Sequence, residues 1–318
     1  MKRLLQLVSS GFGVTLGMLA IVILPAALTL HTVRQSLVRT DLPENVSPHG
    51  YTISLLLFLV PSLAIVAWFF SQTELRISKH AFTWTIALLF PTGAALDFFF
   101  ARYFFVFSNA GATLGIRAPA LGGGVPIEEY LFYLAGFITT VLMYIWLDEY
   151  WLALYSVPSS ASERLDFDRL LRFHPASMVL AVVLIAAAFA YQRLCLPNPA
   201  GHFPGYWIFL VLVSLGPSSM LLPTARPMIN WRALSLTVFV ILLISLLWEV
   251  TLALPYGWWN FREEQMIGIR VTAWSYLPIE EVYIWIGVSY STVIVYEIVK
   301  RWKASGRSAL HAFFGGGA

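Results

Sequence analysis

Charged side chains are scarce in this chain of 318 residues: Asp, Glu, Lys and Arg make up 12% of it, whereas apolar and aromatic residues make up 58%. Soluble globular domains carry about 25% charged and about 45–50% apolar residues. The sequence also lacks the alternating segments of about ten residues that build a membrane β-barrel. The composition therefore excludes an ordinary soluble domain and predicts an all-α polytopic membrane protein.

Cysteine and metal-binding motifs are also nearly absent. Cys195 is the only cysteine, so it has no partner for an internal disulfide. The chain has no CxxC, no HExxH and no His pair at ligand spacing, and the sequence predicts no metal site. The net charge of +3 forms no basic stripe, which argues against nucleic acid as a partner. No GxGxxG follows a strand, so we expect no cofactor.

Apolar runs long enough to cross a bilayer are plentiful instead. A helix needs about 20 apolar residues to span the hydrocarbon core. We predict eight such helices, the first of them an uncleaved span because it has no small-x-small cleavage site. They cover residues 11–30, 51–71, 83–106, 126–147, 176–195, 205–222, 232–256 and 277–299.

The positions of Lys and Arg predict how these spans face. Thirteen of the twenty basic residues fall on the side of the N-terminus, and basic residues favour the cytoplasmic side. Both termini are therefore expected in the cytoplasm. The expected localisation is a bacterial cytoplasmic membrane, with lipid as an obligatory partner.

Several landmarks recur in the second half of the chain. Pro126-Ile127-Glu128-Glu129 returns as Pro278-Ile279-Glu280-Glu281, an offset of 152. Leu114-Gly115-Ile116-Arg117 has the counterpart Ile267-Gly268-Ile269-Arg270, and Gly50-Tyr51 has the counterpart Gly205-Tyr206. The pattern predicts a four-plus-four tandem duplication whose halves share one orientation. Residues 1–155 form the first repeat, 156–174 a polar cytoplasmic linker, and 175–318 the second repeat.

Two carboxyls lie deep in apolar runs, Asp97 in the third span and Glu249 in the seventh. A charged residue at mid-bilayer costs ~2.5–3.5 kcal/mol on insertion scales, so such residues mark functional positions. Structural hydrogen bonding between helices is the alternative explanation. The recurrence of an acid at the same repeat position favours function, and we predict that both side chains point into the bundle.

The two Glu-Glu pairs open the fourth and eighth spans. Carboxylates are favourable in a first helical turn, so a stable helix start would explain one such pair. Neighbouring residues diverge by about 100° around a helix, so one Glu of each pair can face the interior. We predict Glu280 and Glu281 as a proton-donor pair, one protonated and the other ionised beside Arg270, with Glu249 as base or positioning group. The equivalent set in the first half is Glu128, Glu129 and Asp97, with Arg117 in its loop.

Aromatic residues are concentrated at the ends of the third and seventh spans. Trp258, Trp259 and Asn260 follow the seventh span. Aromatic belts at the membrane interface are a common reason for such clusters. Electron-rich rings that line a cavity also attract a developing carbocation, by ~0.5–2 kcal/mol each. We predict Trp258, Trp259, Asn260, Arg270 and Arg117 as substrate-binding residues.

At these residues the chain resembles the small integral-membrane lycopene cyclases of the heterodimeric type, here as a fused tandem repeat. The resemblance rests on the intramembrane acid, the Gly-Ile-Arg connection and the Pro-x-Glu-Glu helix start, and it covers about two-thirds of the chain. Two features depart from that family: each half has an extra span, and the first half has Val106-Phe107-Ser108-Asn109 in place of Gly257-Trp258-Trp259-Asn260.

The resemblance implies an enzyme of carotenoid biosynthesis, an intramolecular lyase or isomerase that closes the linear ψ-ends of lycopene into β-rings. The substrate would be a lipophilic carotenoid within the bilayer, and other enzymes of that pathway would be partners. Two alternatives stay open. One is a membrane cyclase or hydratase of another polyprenyl or terpenoid chain, and the other is a proton-coupled transporter, in which repeats and intramembrane carboxylates are common.

Overall fold

The computed structural model describes residues 48–71, 78–157, 168–197 and 201–315, with positions 20 and 24 besides. Within these ranges, seven helices are long and apolar enough to span a membrane, and the chain is an integral membrane protein with a polytopic all-α fold. The helices are α1 (Gly50–Ser71), α2 (Lys79–Phe104), α3 (Ile127–Trp146), α4 (Pro175–Cys195), α5 (Gly205–Ala225), α6 (Trp231–Trp248) and α7 (Ile279–Ala304).

Seven of the predicted spans coincide with these helices, within five residues at every end once the π turns that continue α3 to Trp151 and α6 to Ala253 are included. The predicted first span, 11–30, lies outside the described residues apart from positions 20 and 24. The largest difference is at α7, which continues to Ala304. Its last turn contains Arg301 and Lys303, and basic residues are favourable at a helix C-terminus, so the helix extends beyond its apolar run.

Short strands connect the helices at one end of the bundle, here called the site end, where α1, α3, α5 and α7 begin. Three antiparallel pairs form there. β2 pairs with β3 and β5 with β6, each just before a helix, whereas β1 pairs with β4 from the other half of the chain. The strands are β1 (Phe105–Val106), β2 (Arg117–Ala118), β3 (Val125–Pro126), β4 (Asn260–Phe261), β5 (Arg270–Val271) and β6 (Leu277–Pro278).

The starts of α3 and α7 are built in the same way. Pro126 lies opposite Arg117, and Pro278 lies opposite Arg270. Each proline is the last strand residue, and α3 begins one residue and α7 two residues later than predicted from the sequence. The amide of Ile127 then donates to the Ile116 carbonyl at 3.0 Å, and that of Ile279 to the Ile269 carbonyl at 3.1 Å.

Helices α3 and α7 form the centre of the bundle. α7 contacts α2, α3, α5 and α6, while α3 contacts α1, α2 and α6 as well. α4 packs on α5, and large apolar side chains of α1 and α4 are exposed, as expected of helices that face lipid.

Two of the helices end in π turns. α3 continues into Leu147–Trp151, and α6 continues into Glu249–Ala253. The amide of Leu254 donates to the Glu249 carbonyl at 2.9 Å, five residues back. π turns inside α-helices are rare and are frequent at functional sites, and this one starts at an intramembrane carboxyl.

A polar network closes the opposite end, here called the far end. The Tyr144 hydroxyl donates to Glu297 Oε1 at 3.1 Å, and Lys300 pairs with the same oxygen at 2.9 Å. The Asn230 amide proton binds the Tyr144 hydroxyl at 3.1 Å, and its side chain donates to Asp148 at 2.8 Å. The network therefore links α3, α6 and α7.

The predicted polar linker, 156–174, lies at this far end in the part that the structure describes. The amide of Leu170 donates to the Ala312 carbonyl in the short helix α8 (Ala309–Phe314), and that of Arg172 donates to the Met220 carbonyl, both at 2.8 Å. Residues 168–174 are thus attached to the second half of the chain.

Candidate active site

A cavity lies at the site end of the bundle, lined by residues of α1, α2, α3, α5 and α7, by Glu249 of the π turn that continues α6, and by Phe105 and Trp259 of the connections. Four buried carboxyls face this cavity, two from each half of the chain. They are Asp97, Glu129, Glu249 and Glu281. The prediction that Asp97 and Glu249 point into the bundle is confirmed.

Each Glu-Glu pair is divided between two tasks. Glu129 and Glu281 line the cavity, whereas Glu128 and Glu280 turn towards the preceding loops. The divergence follows from the rotation of about 100° per residue around a helix. Glu128 Oε1 accepts the Leu114 amide at 2.7 Å, and Glu280 Oε1 accepts the Ile267 amide at 2.6 Å.

The loop-binding glutamates are fully buried, so neither faces lipid headgroups. Thr52 of α1 also donates to Glu128 Oε1, at 2.5 Å. The connections that they hold contain Gly115 and Gly268, whose φ angles of 77° and 95° favour glycine. A carboxyl that binds a loop amide therefore fixes the connection over the cavity in both halves.

Two tyrosines accompany the cavity glutamates. The Tyr51 hydroxyl donates to Glu129 Oε1 at 2.8 Å. Tyr206, its counterpart at the start of α5, lies beside Glu281 and interacts with it. The sequence comparison matched Gly50-Tyr51 with Gly205-Tyr206 as a landmark but did not include either tyrosine among the site residues. The sequence signal that could have identified them is that a tyrosine recurs at the start of the corresponding helix in each half.

The carboxyls from α2 and α6 have few partners. Glu249 Oε1 accepts a hydrogen bond from Trp285 Nε1 at 2.8 Å. Glu249 also interacts with Glu281. Its second oxygen and Asp97 Oδ2 are buried without a hydrogen-bond partner among the described residues. Because buried polar atoms normally have partners, these oxygens are open positions that a proton or a reacting group can use.

Aromatic rings form most of the remaining wall. Trp259 lines the cavity, and Trp258 lies behind it, stacked on Tyr51 with the ring centroids 5.6 Å apart. Trp248 packs against Trp259 at 5.3 Å. The aromatic rings that line the cavity are Tyr51, Phe100, Phe104, Phe105, Phe132, Tyr133, Tyr206, Phe209, Trp259 and Trp285.

Loops from both halves cover the site end. β1 pairs with β4, so that Val106 lies opposite Asn260. The Asn260 side chain is exposed and donates to the Ser108 hydroxyl at 2.8 Å, and Asn109 donates to the Tyr256 carbonyl at 2.9 Å. The two connections that differ in sequence, 106–109 and 257–260, thus interlock. Asn260 contributes to this cover and does not line the cavity.

The loop arginines have other partners. Arg117 donates to the Gly124 carbonyl at 3.2 Å. Arg270 binds Glu263 and the Tyr276 carbonyl. Neither arginine lines the cavity. The lining residues therefore include four carboxyls and no cation. Arg270 forms its ion pair with Glu263 and also acts electrostatically on Glu280 and Glu281 from outside the lining.

The structure thus divides the eleven predicted site residues into two groups. Asp97, Glu129, Glu249, Glu281 and Trp259 line the cavity. The other six surround it, in the loops or behind its aromatic wall: Glu128, Glu280, Trp258, Asn260, Arg117 and Arg270. In the described part of the chain, no group of three His, Cys, Asp or Glu side chains is arranged to hold a metal ion.

Comparisons of the chain with models of known protein families, with curated proteins and with solved structures found no match. The resemblance to the membrane lycopene cyclases consequently stays a hypothesis based on the motifs and on the geometry of the cavity.

Proposed function

We propose that this protein is a carotenoid cyclase of the lycopene β-cyclase type, which closes a linear ψ-end into a β-ring by acid/base chemistry. The observation that supports this most is the cavity itself, in which four carboxyls from both halves face aromatic rings and no cation. Such a site can donate and accept protons and can stabilise a carbocation, and the reaction needs nothing more from the protein.

The reaction is redox-neutral. A carboxylic acid gives its proton to the terminal trisubstituted double bond, which produces a tertiary carbocation. The π electrons of the internal double bond then form the new carbon–carbon bond and close the ring. A carboxylate removes a proton from the cyclic cation, so the new ring keeps its double bond. One proton enters and one leaves, and no electrons are exchanged with a cofactor.

We assign the proton donor to Glu281. It faces the same cavity as Glu249, whose lining includes no cation, and repulsion between two such buried carboxylates favours a pair that shares one proton. Trp285 holds one oxygen of Glu249, which makes Glu249 a positioning residue for the donor. Glu280, which the sequence suggested as part of a proton-donor pair, is assigned instead to holding the loop, since its oxygen accepts the Ile267 amide.

The accepting group is assigned to the pair from the first half. Glu129 receives the Tyr51 hydroxyl hydrogen bond, which stabilises its charged form, and Asp97 faces the same cavity. The aromatic walls supply cation–π attraction along the path of the positive charge. Enclosure by the interlocked loops restricts water, which would otherwise trap the cation as an alcohol.

The four-plus-four duplication belongs to this proposal. The paired hairpins, the paired glutamate–amide bonds and the paired tyrosines support it, and they occur in the same order in both halves. An eighth span at 11–30 would make the halves equal in number of helices. In a bacterial cytoplasmic membrane with both termini inside, the cavity lies in the outer half of the bilayer and takes carotenoids from lipid and from neighbouring pathway enzymes.

The test is expression in a host that accumulates lycopene. The proposal expects the red pigment to be converted to yellow-orange cyclic carotenes, identified by chromatography. The Glu281→Gln variant, at equal membrane level, is the matched control and should leave the pigment red. Unchanged lycopene with the wild-type chain, together with proton-coupled solute uptake, would contradict the proposal in favour of a transporter.

A further inference from the structure

A second space, open on one side, lies between α1, α3 and α6, where apolar side chains such as Phe58 and Ile244 are exposed. Its lining includes no charged residue, and Thr139 and Ser245 supply its aliphatic hydroxyls. We call it the side groove. It is lined by Leu55, Phe58, Phe132, Ala135, Gly136, Thr139, Ile241, Ile244, Ser245, Trp248 and Trp285.

The side groove adjoins the carboxyl cavity. Phe132 and Trp285 line both spaces. The two rings touch edge to face, with centroids 5.4 Å apart, and Phe132 stacks on Trp248 at 5.8 Å. Trp285 also binds Glu249 through its Nε1 atom. One layer of aromatic rings therefore separates an apolar groove from the four carboxyls.

The groove runs along the bundle axis. Its lining spans seven residue steps along α3, from Phe132 to Thr139, and seven along α6, from Trp248 back to Ile241. At 1.5 Å per residue this is a length of ~10 Å, directed from the depth of the carboxyls towards the far end. Leu55 and Ala135 form a buried floor, whereas Phe58 and Ile244 are exposed at the rim.

Glycines show that the groove belongs to one side of the bundle. A Cβ atom added at Gly136 of α3 would meet nothing within 4 Å. On the other side, a Cβ atom added at Gly287 of α7 would lie 2.8 Å from the Ser214 Cβ atom of α5. Helices α5 and α7 therefore pack in close contact at Gly287, whereas the space beside Gly136 is open.

We infer that the side groove holds the extended isoprenoid chain of the substrate while its end group lies among the carboxyls. This inference rests on the proposed function. An isoprenoid polyene is long, narrow and apolar, and the groove is elongated, uncharged and lined mostly by apolar side chains. Because Phe132 and Trp285 form the wall between the groove and the reaction cavity, rotation of these two rings would let one molecule occupy both. Chain binding in the groove would fix which end reaches Glu281 and would select long substrates over short ones.

The experiment uses the full chain in lipid nanodiscs, with lycopene and with a truncated polyene that carries the same end group. Gly136→Leu places a side chain into the open space. Gly136→Ala adds one methyl group there, and Ile244→Trp narrows the rim. The control, Ala187→Leu, makes a comparable addition at an exposed position of α4 outside the groove. Two quantities are measured: the amount of lycopene bound per protein, from its absorbance, and kcat/KM for both substrates.

We expect Gly136→Leu to bind lycopene at least about tenfold more weakly and to lose kcat/KM for lycopene by a similar factor. The loss in Gly136→Leu should be much smaller for the truncated polyene than for lycopene, and Ala187→Leu should match the wild type with both substrates. Gly136→Ala and Ile244→Trp should give smaller losses in the same direction, which guards against a folding defect in Gly136→Leu.

Unaltered lycopene binding in Gly136→Leu and Ile244→Trp would overturn the inference and leave the groove to a lipid acyl chain. A wild-type protein that binds lycopene in a Gly136-dependent way but forms no ring would support the groove and refute the cyclase. A wild-type protein that neither binds nor converts lycopene would refute both.

Discussion

Trp285 Nε1 donates a hydrogen bond of 2.8 Å to Glu249 Oε1, and it thereby joins the second turn of α7 to the π turn at the end of α6. The same indole separates the carboxyl cavity from the side groove. One side chain therefore positions an acidic group and shapes the space for an apolar chain.

Removal of this hydrogen bond should lower kcat/KM while the aromatic wall between the carboxyl cavity and the side groove is kept. Trp285→Phe keeps an aromatic ring and deletes the donor. Hydrogen bonds to charged or acidic groups contribute about 1.5–3 kcal/mol, so we expect kcat/KM to fall by about tenfold to a hundredfold. The control is Trp248→Phe, because Trp248 Nε1 has no hydrogen-bond partner among the described residues. Equal effects of the two substitutions would contradict the positioning role.

The two members of the second Glu-Glu pair should differ sharply. Glu281→Gln removes the proposed proton donor and should lower kcat by about 10²–10⁴. Glu280→Gln keeps an amide oxygen that can accept the Ile267 amide proton, so its kcat should change by less than about tenfold. Single-turnover assays in nanodiscs measure both. A larger loss for Glu280→Gln would return the donor role to Glu280.

The Tyr51 hydroxyl should matter for the accepting side of the reaction. Tyr51→Phe preserves stacking on Trp258 and removes the hydrogen bond to Glu129. We expect a decrease in kcat of about tenfold, since a carboxylate without this donor is less well stabilised. Tyr130→Phe is the control, because its hydroxyl binds the Pro119 carbonyl outside the cavity. Wild-type turnover by Tyr51→Phe would exclude Glu129 as a base oriented by Tyr51.

Purified protein should cyclise lycopene without flavin or nicotinamide. The proposed steps exchange only protons, so addition of either cofactor should leave the rate unchanged. The measurement compares turnover in nanodiscs before and after extensive dialysis and after readdition of reduced flavin. A strict dependence on reduced flavin would show that the four carboxyls are insufficient.

The far-end network should stabilise the fold and leave catalysis alone. Asn230 caps α6 through the Ala233 amide and binds Asp148. Asn230→Ala should therefore lower the free energy of unfolding by about 1–3 kcal/mol, while kcat stays at the wild-type value. Thr92→Ala is the control, since Thr92 is exposed and bonds only within its helix. Unfolding in denaturing detergent measures the difference.

Seven helices could be predicted from the sequence because hydrocarbon imposes one simple rule, a run of about 20 apolar residues. The intramembrane acids were predictable for the same reason, since Asp97 and Glu249 interrupt such runs. The strand pair β1–β4 was not, because it joins segments more than 150 residues apart through two residues each. Nothing in so short a stretch distinguishes a strand from a loop.

The division of labour within the Glu-Glu pairs illustrates a second limit. Helix geometry shows that Glu280 and Glu281 diverge, but it does not show which of them faces inward. That choice depends on where the loop amide of Ile267 lies, which is a property of the folded connection. Likewise, Arg270 forms its ion pair with Glu263, seven residues earlier in the chain. The sequence signal that Tyr206 belongs to the site was its match with Tyr51.

The pairing of β1 with β4 also bears on how the polypeptide can be encoded. The elements that meet across the two halves are folded segments on either side of residues 158–167: Phe105 opposite Phe261, Asn260 bound to Ser108, and α3 against α6. The residues just after that stretch, Leu170 and Arg172, bond to the second half. A gene divided there would yield two separate polypeptides that each contribute two cavity carboxyls. The cavity thus lies between the two halves of the chain, and each half supplies one side of it.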